Sequence, residues 1–485
     1  MTLPVHNADE QLLQRQGYDQ QLHRGLSLWS SFSVGFATVS PVVGIYSVMS
    51  LGAMSVGPSW VWIVPLCLAL QLLVALVYAE LSSNYPLAGG CYQWVKRLAG
   101  ERWAWFTGFM YLASALASLT TVAYLGGFWL WLFFTGQPPS ANAQVVSGAA
   151  LLLLGLGVNL FGINPLKYFV NAGIVAEAIA SIGIGVLLLV FFRNHDFSLV
   201  FEGLSATATT DSSYLSGFLT AMAVGGWAFL GFDACSQVSE ETADARTSTP
   251  RAILRSMILV GLTVMLTAFA VTLSYTDTAA MVSGQVIDPV TPAVVDAFGA
   301  WAERPFVGVV LVAFIACVVS VQTYIGRAVF GMARDSILPA SGLLRRVDKR
   351  KVPFAAMVVS TLLASLGLAL GLNATAVGTL IAFGSGGFFF VFLIVVTCAL
   401  LARLTGKWKP EVGAFTLGRW GVPVNLAAFV WLLFESINVA WPRVSLAPPD
   451  APWFQVWAVI LVFSALAVLG LVYMVWAKPY NRAFK

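Results

Sequence analysis

Two apolar segments of this chain are interrupted at corresponding positions, and this pairing limits the fold more than any other feature. The first segment, 27–51, is broken at 40–44, and the second, 213–238, is broken within 225–231 by three glycines. A helix broken inside a membrane leaves backbone N–H and C=O groups that lipid cannot satisfy, so it is tolerated only where it lines a polar cavity. Two such breaks in two halves predict the substrate site of a secondary transporter.

The composition indicates a membrane protein. Of the 485 residues, 59% are hydrophobic and 10% are charged, whereas soluble domains carry about 25% charged residues. We count twelve segments that are each long enough to cross ~30 Å of hydrocarbon. We therefore predict an all-α polytopic membrane protein with twelve transmembrane helices in a lipid bilayer. The net charge of +4 is spread over loops, so no nucleic-acid partner is predicted.

The spacing of the segments predicts an inverted repeat. Five segments lie within 27–192 and five more within 213–402. An odd number of spans makes the second unit enter the membrane upside down. Two further helices are expected within 421–477, with polar tails at 1–26 and 478–485.

The distribution of basic residues predicts the orientation. Only Arg193, Arg304 and Arg443 fall on the side of the membrane opposite the amino terminus, although the chain has 26 basic residues. By the positive-inside rule, both termini are expected in the cytoplasm of a multi-pass protein of the cell membrane. Residues 1–24 do not form a basic stretch before a short apolar core, so we predict no cleavable signal peptide.

Cofactor chemistry is not predicted by any motif. The histidines His6, His23 and His195 all lie outside the expected spans, and no His, Cys, Asp or Glu group has the spacing of metal ligands. A phosphate-binding loop is also missing, so ATP is not expected to drive transport. We predict no metal, no cofactor and no catalytic residue, which leaves H⁺ or Na⁺ as the coupling ion.

Four acidic residues fall within expected spans, where each is costly. For Glu80 we expect contact with the membrane interface, and for Glu435 a structural hydrogen bond. Asp233 directly follows the second break, so it is expected to face the cavity and to pair with an amine or exchange a proton; the alternative is that it only ties the broken helix together. Trp227 stands at the same break, where its ring could stack on a cation or simply pack.

Several stretches resemble signatures of the amino acid–polyamine–organocation superfamily. Trp227-Ala-Phe-Leu-Gly-Phe-Asp233-Ala-Cys-Ser is similar to the sixth-helix signature of that superfamily. The other matching stretches are Pro86-Leu-Ala-Gly-Gly-Cys-Tyr92, Ser239-Glu-Glu-Thr with Pro250-Arg-Ala-Ile, and Gly326-Arg-Ala-Val-Phe-Gly-Met-Ala-Arg334-Asp-Ser-Ile-Leu-Pro339. The resemblance covers most of 25–405 and is closest to the amino acid/choline branch, whose members move 4-aminobutyrate, choline, amino acids or polyamines.

The resemblance implies a LeuT-type fold of five plus five helices with two extra C-terminal helices, and alternating access without ATP. It implies that Trp227 is the aromatic gate and Asp233 the acidic residue of helix six. The expected substrate-binding residues are Ser40, Val42, Val43, Gly44, Gly226, Trp227, Phe229 and Asp233.

One position departs from the family pattern. Many amino acid permeases carry a Gly-Ser-Gly-like break in helix one that holds the substrate carboxylate on backbone N–H groups. This chain has Val42-Val43-Gly44 there. The N-terminus of the half-helix still favours an anion, but the two valines leave less room. This departure favours an ω-amino acid or a substrate without a carboxylate.

The residue expected to couple transport to an ion is Glu177. It lies about a dozen residues into the fifth segment, near mid-depth at ~1.5 Å per residue. In related folds a sodium ion or a positive group bridges helices one, five and eight, and Ser320 and Thr323 lie on helix eight. Burial disfavours the charged carboxylate, so Glu177 is predicted to exchange a proton. The alternative is that it stays protonated and only hydrogen-bonds a neighbouring helix.

Three classes of function remain open on the sequence alone. The leading prediction is a secondary active permease that imports or exchanges small amine-containing solutes. The second is a channel or a non-transporting nutrient sensor, although no segment shows a continuous polar stripe. The third is a membrane-embedded enzyme, which would need catalytic groups clustered at one depth. A homo-oligomer stays open.

Overall fold

The chain folds into a bundle of long apolar helices. The computed structural model describes residues 5–203, 214–286, 288–444 and 451–482. In that part of the chain, twelve helical stretches are long and apolar enough to cross a membrane. This finding confirms the predicted class, an all-α polytopic membrane protein with twelve spans.

The α-helices of the described residues are labelled in chain order. They are α1 (Val5–Arg15), α2 (Leu28–Val39), α3 (Pro41–Val56), α4 (Ile63–Asn84), α5 (Gly90–Ala99), α6 (Glu101–Thr135), α7 (Ala141–Leu160), α8 (Ile163–Glu177), α9 (Ile184–Phe191), α10 (Tyr214–Gly225), α11 (Ala234–Gln237), α12 (Ala245–Ser274), α13 (Thr278–Val282), α14 (Val290–Phe298), α15 (Glu303–Arg334), α16 (Ser341–Leu344), α17 (Phe354–Gly367), α18 (Ala374–Leu404), α19 (Gly421–Ala440), α20 (Trp453–Val456) and α21 (Ala458–Ala477). The expected start of the second repeat, residue 213, lies outside the described residues, as do 1–4 and 483–485 of the two tails.

Helices α2 and α3 form span one, and the break between them is a single residue. Ser40 has φ +47° and ψ 101°, and its hydroxyl accepts a hydrogen bond from the Val43 N–H. Pro41 follows as the first helical residue, where its missing N–H leaves no unpaired donor. The interruption expected over 40–44 is therefore confined to Ser40, and Val42, Val43 and Gly44 form the first turn of α3.

Helices α10 and α11 form span six, and its break is much longer. After α10 ends at Gly225, a 3₁₀ turn covers Gly226–Phe229, and the chain is extended at Leu230 before α11 begins. Gly231 has φ +96°, and a Cβ there would lie 2.8 Å from Thr38 Cγ2. Glycine is required here both by the backbone conformation and by the close approach of span one.

Span five changes its helical winding next to the break in span one. Helix α8 ends at Glu177, the segment Ala178–Gly183 is π-helical, and α9 continues the span. The π turn contacts span one, because the Tyr46 hydroxyl donates to the Ala180 carbonyl at 3.4 Å. Short π segments in α-helices are frequent at functional sites.

The burial of the spans shows which helices form the centre. In the most apolar window of each span, 78% of residues are buried in span eight (α15), against 6% in span twelve (α21). The two broken spans lie near the centre, at 89% for span one and 67% for span six. Gln16 and Tyr18, which follow α1, hydrogen-bond Arg97 and Gln93 of α5, and we call this side of the bundle the tail side.

Candidate substrate site

A small cavity lies between the two broken spans. Span one contributes Thr38, Val39 and Val43 to its wall, and span six contributes Trp227, Leu230 and Gly231; the remaining lining residues are Ser118, Val122, Val321, Tyr324 and Phe388. Its volume is about 20 Å³, enough for about one water molecule. The cavity is therefore too small in this conformation to hold an amine solute.

The wall of this cavity is aromatic and weakly polar. Three rings, Trp227, Tyr324 and Phe388, meet the hydroxyls of Thr38 and Ser118, and the described lining residues carry no charge. The face of an aromatic ring attracts a cation. The arrangement is suited to an amine or a quaternary ammonium group.

Asp233 is buried one ring layer behind the cavity. Its Oδ2 accepts a hydrogen bond from the Tyr111 hydroxyl at 2.6 Å, and it is only 1% exposed. The Tyr111 ring packs edge-on against two lining rings, with centroid distances of 6.2 Å to Tyr324 and 5.6 Å to Phe388. Asp233 is absent from the residues that line the cavity, and the Tyr111, Tyr324 and Phe388 rings connect it to the wall.

Glu177 caps the break in span one. The Val42 N–H donates to its Oε2 at 2.9 Å, and the Ser40 hydroxyl donates to its Oε1. Val43 N–H bonds the Ser40 hydroxyl and Gly44 N–H bonds the Ser40 carbonyl. Every N–H in the first turn of α3 therefore has a partner within the protein, and the position that favours an anion holds the Glu177 carboxylate.

The small residues of the two breaks allow close backbone contact. A Cβ at Gly44 would lie 3.2 Å from the Ala228 Cα, and one at Gly226 would lie 2.8 Å from Phe389 Cζ. Phe229, also expected at the substrate site, is fully buried in the core. Of the eight expected substrate-binding residues, two line the cavity, Val43 and Trp227.

The three residues expected to couple an ion have separate partners. Ser320 donates to the Val34 carbonyl at 2.8 Å and accepts from the Thr38 hydroxyl at 3.0 Å, so it joins span eight to span one. Thr323 donates to Asn159 Oδ1 at 2.6 Å, which joins span eight to span four. Glu177 bonds span one alone among these contacts.

The other two acidic residues in the spans are also buried. Glu80 forms an ion pair with Arg403 of span ten and accepts a hydrogen bond from the Leu417 N–H at 3.0 Å; its expected contact with the membrane interface stays a prediction. Glu435 accepts a hydrogen bond from Asn438 at 3.1 Å.

The family-like motifs meet at the tail side in a cluster that sequence reasoning did not predict. Glu240 pairs with Arg334 at 2.7 Å, and Glu241 pairs with Arg327 at 2.7 Å. Glu240 also accepts the Ala88 N–H at 2.9 Å. The partners come from three separate motifs. The sequence feature that could have predicted the cluster is the presence of charged residues at the ends of apolar segments.

The amino-terminal tail joins this cluster through Asp335. Its carboxylate pairs with Lys96 at 2.6 Å and accepts hydrogen bonds from the hydroxyls of Tyr18 and Tyr92, at 2.9 Å and 2.7 Å. Burial, and then the charge of Asp335, raise the pKa of both tyrosines, so both remain protonated donors. These contacts join the amino-terminal tail and α5 to the residue that follows α15.

Comparison with known proteins agrees with this architecture. The family model described as amino acid permease matches residues 26–476. The chain is 26% identical to the amino-acid permease BAT1 of Arabidopsis thaliana, over 97% of this chain and 94% of the relative. It is 28% identical to the BAT1 homolog of Oryza sativa subsp. japonica (89% and 88%) and 26% identical to the choline transporter of Saccharomyces cerevisiae (92% and 81%).

A model that spans nearly the whole chain fixes the family, and the broken spans around an aromatic cavity fit a permease of that family. The chain therefore belongs to the amino acid permease family of the amino acid–polyamine–organocation superfamily, and it is a transporter of small amine-containing solutes.

Proposed function

We propose that this transporter recognises the amine of its solute and does not require a carboxylate next to that amine. The observation that carries this proposal is the position of Glu177. Its carboxylate already occupies the N-terminus of α3, where every first-turn N–H has a partner. A second carboxylate placed there would meet a like charge and no free donor. Choline, 4-aminobutyrate and polyamines avoid this clash, whereas ordinary α-amino acids do not.

The amine is bound by the aromatic wall with Asp233 behind it. A cation between Trp227, Tyr324 and Phe388 gains from the ring faces. The buried carboxylate adds a long-range attraction that is strong where water is excluded. The relative named a choline transporter supports this class of substrate, as does the absence of charge on the described cavity wall.

Transport proceeds by alternating access in this proposal. Opening towards the tail side requires the pairs Glu240–Arg334 and Glu241–Arg327 to separate. Opening to the other side requires the aromatic wall to part at Trp227. The repeats at 27–192 and 213–402 each begin with a broken span, and these two spans are the moving elements.

Coupling to protons is assigned to Glu177. Among the described ion pairs none includes Glu177, so no basic side chain holds its negative charge. Protonation would weaken its hold on Val42 N–H and Ser40, and so loosen the break in span one. Ser320 and Thr323 keep span eight attached to spans one and four while that break changes.

We propose that the transporter lies in the cell membrane with both termini in the cytoplasm. The tail side carries Lys96, Arg334 and Arg403 of the buried pairs, in line with the positive-inside rule. Import or exchange of solutes across the cell membrane is the role that this orientation favours.

Counterflow in proteoliposomes tests the proposal. Vesicles containing the purified full-length protein are loaded with unlabelled choline, 4-aminobutyrate, putrescine, alanine or leucine, and uptake of the matching labelled solute is followed. We expect accumulation with the first three solutes and little with alanine or leucine. Vesicles without protein provide the blank.

Two outcomes would contradict the proposal. Strong counterflow of alanine or leucine with none of choline, 4-aminobutyrate or putrescine would show that a carboxylate beside the amine is required. If the loaded solute leaves the vesicles without accumulation of the labelled solute, the protein would be a channel and not an alternating-access transporter.

A further inference from the structure

One buried carboxylate has no part in the proposed substrate site. Glu435 lies in α19, outside the two repeats, and is 0% exposed. Its Oε2 accepts one hydrogen bond, from Asn438 Nδ2 at 3.1 Å. Its Oε1 is buried and has no hydrogen-bond partner among the described residues. Since buried polar atoms are nearly always satisfied, an unpartnered carboxylate oxygen indicates something further at this position.

The orientation of Asn438 is fixed, so its amide can only donate to Glu435. Its Nδ2 also donates to the Leu219 carbonyl at 2.9 Å. Its Oδ1 accepts from the guanidinium of Arg443, which also donates to the Asn438 carbonyl at 2.6 Å. A flipped side-chain amide would lose the hydrogen bond to the Leu219 carbonyl and the one from the Arg443 guanidinium. Asn438 therefore stabilises one oxygen of Glu435 and leaves the other open.

The open oxygen of Glu435 faces the break in span six. A Cβ placed on Gly226 would lie 3.2 Å from Oε1, so that oxygen lies against the point where α10 gives way to the 3₁₀ turn. The last carbonyls of a helix lack partners within the helix. Any carbonyl left unpaired at this point would accept a hydrogen bond from an O–H on Oε1 and would disfavour a negative charge there.

The helices packed against α19 offer few charges near Glu435. From α4, the Cys67 thiol lies near the carboxylate, and Gln71 accepts from Trp431 Nε1 at 2.8 Å. Helix α10 carries no Asp, Glu, Lys or Arg. The nearby side chains on these two helices therefore do not neutralise an ionised carboxylate.

None of the basic residues around α19 forms a described ion pair with Glu435. Arg403 of α18 pairs with Glu80 and donates to Asn425 Oδ1 at 3.2 Å, ten positions from Glu435 and thus ~15 Å away along the helix. Arg419 precedes α19 at that same end. Arg443 approaches from the opposite end, where its guanidinium binds Asn438 and its positive charge partly offsets that of an ionised Glu435.

We propose that Glu435 is a second proton-binding site, which gains and loses its proton as the break in span six rearranges. In the present conformation an O–H bond forms on Oε1 and donates to the end of α10. When the break moves and water reaches the carboxylate, the proton leaves. A charged carboxylate is unfavourable in a site without water, so proton binding to Glu435 depends on the conformation of span six.

Infrared spectroscopy tests the proton directly, without any substrate. The C=O absorbance of protonated carboxyl groups is titrated with pH in the purified full-length protein. We expect a titrating component in the wild type that Glu435→Gln lacks and that Glu435→Asp retains. Glu202→Gln removes an exposed carboxylate on the same side of the bundle as Arg443, and it should leave that component unchanged.

Hydrogen–deuterium exchange tests the link to span six. Amide exchange in peptides covering residues 214–238 is measured across the same pH range and corrected for intrinsic exchange. We expect protection in the wild type to change with the infrared titration, and in Glu435→Gln to be independent of pH. Glu202→Gln again serves as the matched control.

Two results would overturn the proposal: a Glu435→Gln protein with the full wild-type carboxyl titration, or wild-type span-six exchange that ignores the titration. Should Glu435→Gln fail to fold, Asn438→Ala provides a second test, because loss of the donor to Oε2 must move the midpoint of the band; an unmoved midpoint would overturn the proposal. Since these measurements use no amine solute, failure of the proposed substrate class would leave their result intact.

Discussion

The two helix breaks differ in how completely the protein satisfies them. In span one a single residue, Ser40, leaves the helix, and its hydroxyl with Glu177 accounts for the donors of the next turn. In span six the irregular backbone extends from Gly226 to Asp233, and the Asp233–Tyr111 hydrogen bond is its main side-chain anchor. The first break therefore leaves no backbone donor of the next turn without a partner. The second has the sparser bonding expected of a segment that moves.

The difference follows from local sequence. Ser followed by Pro is a strong start for a helix, because the hydroxyl caps the turn and proline needs no N–H partner. Glycines at 225, 226 and 231 offer no caps and permit backbone conformations that other residues avoid. The comparison predicts that the break in span six rearranges more than the break in span one, and that the break in span one sets the charge at the site.

The largest effect is expected at the anchor of the second break. Asp233→Asn removes the charged acceptor of Tyr111, and a hydrogen bond to a charged group contributes ~1.5–3 kcal/mol. Uptake of choline or 4-aminobutyrate should fall about 10- to 100-fold while the protein still inserts. Initial uptake rates, normalised to protein in the membrane, check this. Tyr111→Phe should act in the same direction but less strongly.

Wild-type uptake by correctly inserted Asp233→Asn would refute the assignment of this carboxylate to amine recognition. It would also leave the second break without a functional anchor, and the contrast between the two breaks would lose its main support.

A second prediction concerns the backbone of the moving break. Gly231→Ala places a Cβ 2.8 Å from Thr38 Cγ2 at φ +96°, so it should lower the free energy of unfolding by ~1–3 kcal/mol. Gly157→Ala is the matched control, since nothing lies within 4 Å of a Cβ there, and alanine should stabilise helix α7 slightly. Unfolding in denaturant measures both. Equal stability of the two variants would show that the close approach of spans one and six is unimportant.

A third prediction concerns charge at the first break. Glu177→Gln keeps an oxygen for Val42 N–H but cannot exchange a proton. Wild-type uptake should be faster at acid external pH, because protonation of Glu177 loosens the break in span one, and a protonophore should abolish the acceleration. The variant should show a flat pH profile with intact insertion.

The measurement is uptake against external pH in sodium-free buffer. Strict dependence on sodium, or an unchanged pH profile in Glu177→Gln, would remove Glu177 from coupling.

The smallest effect is expected from the valines of α3. Val43 lines the cavity and Val42 does not, although both are buried. Val43→Ala removes two carbon atoms from the wall and should improve competition by alanine about 4-fold, the gain if the solute buries one further methyl group at about 0.8 kcal/mol, and Val42→Ala should not. Competition against labelled 4-aminobutyrate checks this pair, and equal effects of the two substitutions would show that Val43 is not part of the wall.

The sequence predicted the spans and both breaks because these depend on local pattern. It did not predict the partner of Glu177, since Val42 is 135 positions away in the chain and composition does not indicate which helix faces which. The pairs of Glu240 and Glu241 span 94 and 86 positions. The helix break indicated how deep Asp233 lies in its span but not which way its side chain points. Tyr111 lies between the carboxylate and the cavity wall.

The cavity of about 20 Å³ has a consequence for the energetics of each cycle. A shell of solvent must enter when the site opens and leave when it shuts, so the equilibrium between the two states depends on the activity of water. Impermeant osmolytes are excluded from protein surfaces, so they favour the conformation that exposes less protein surface to water. Turnover should therefore slow under osmotic stress even at saturating solute, and the steepness of that decline counts the waters exchanged per cycle.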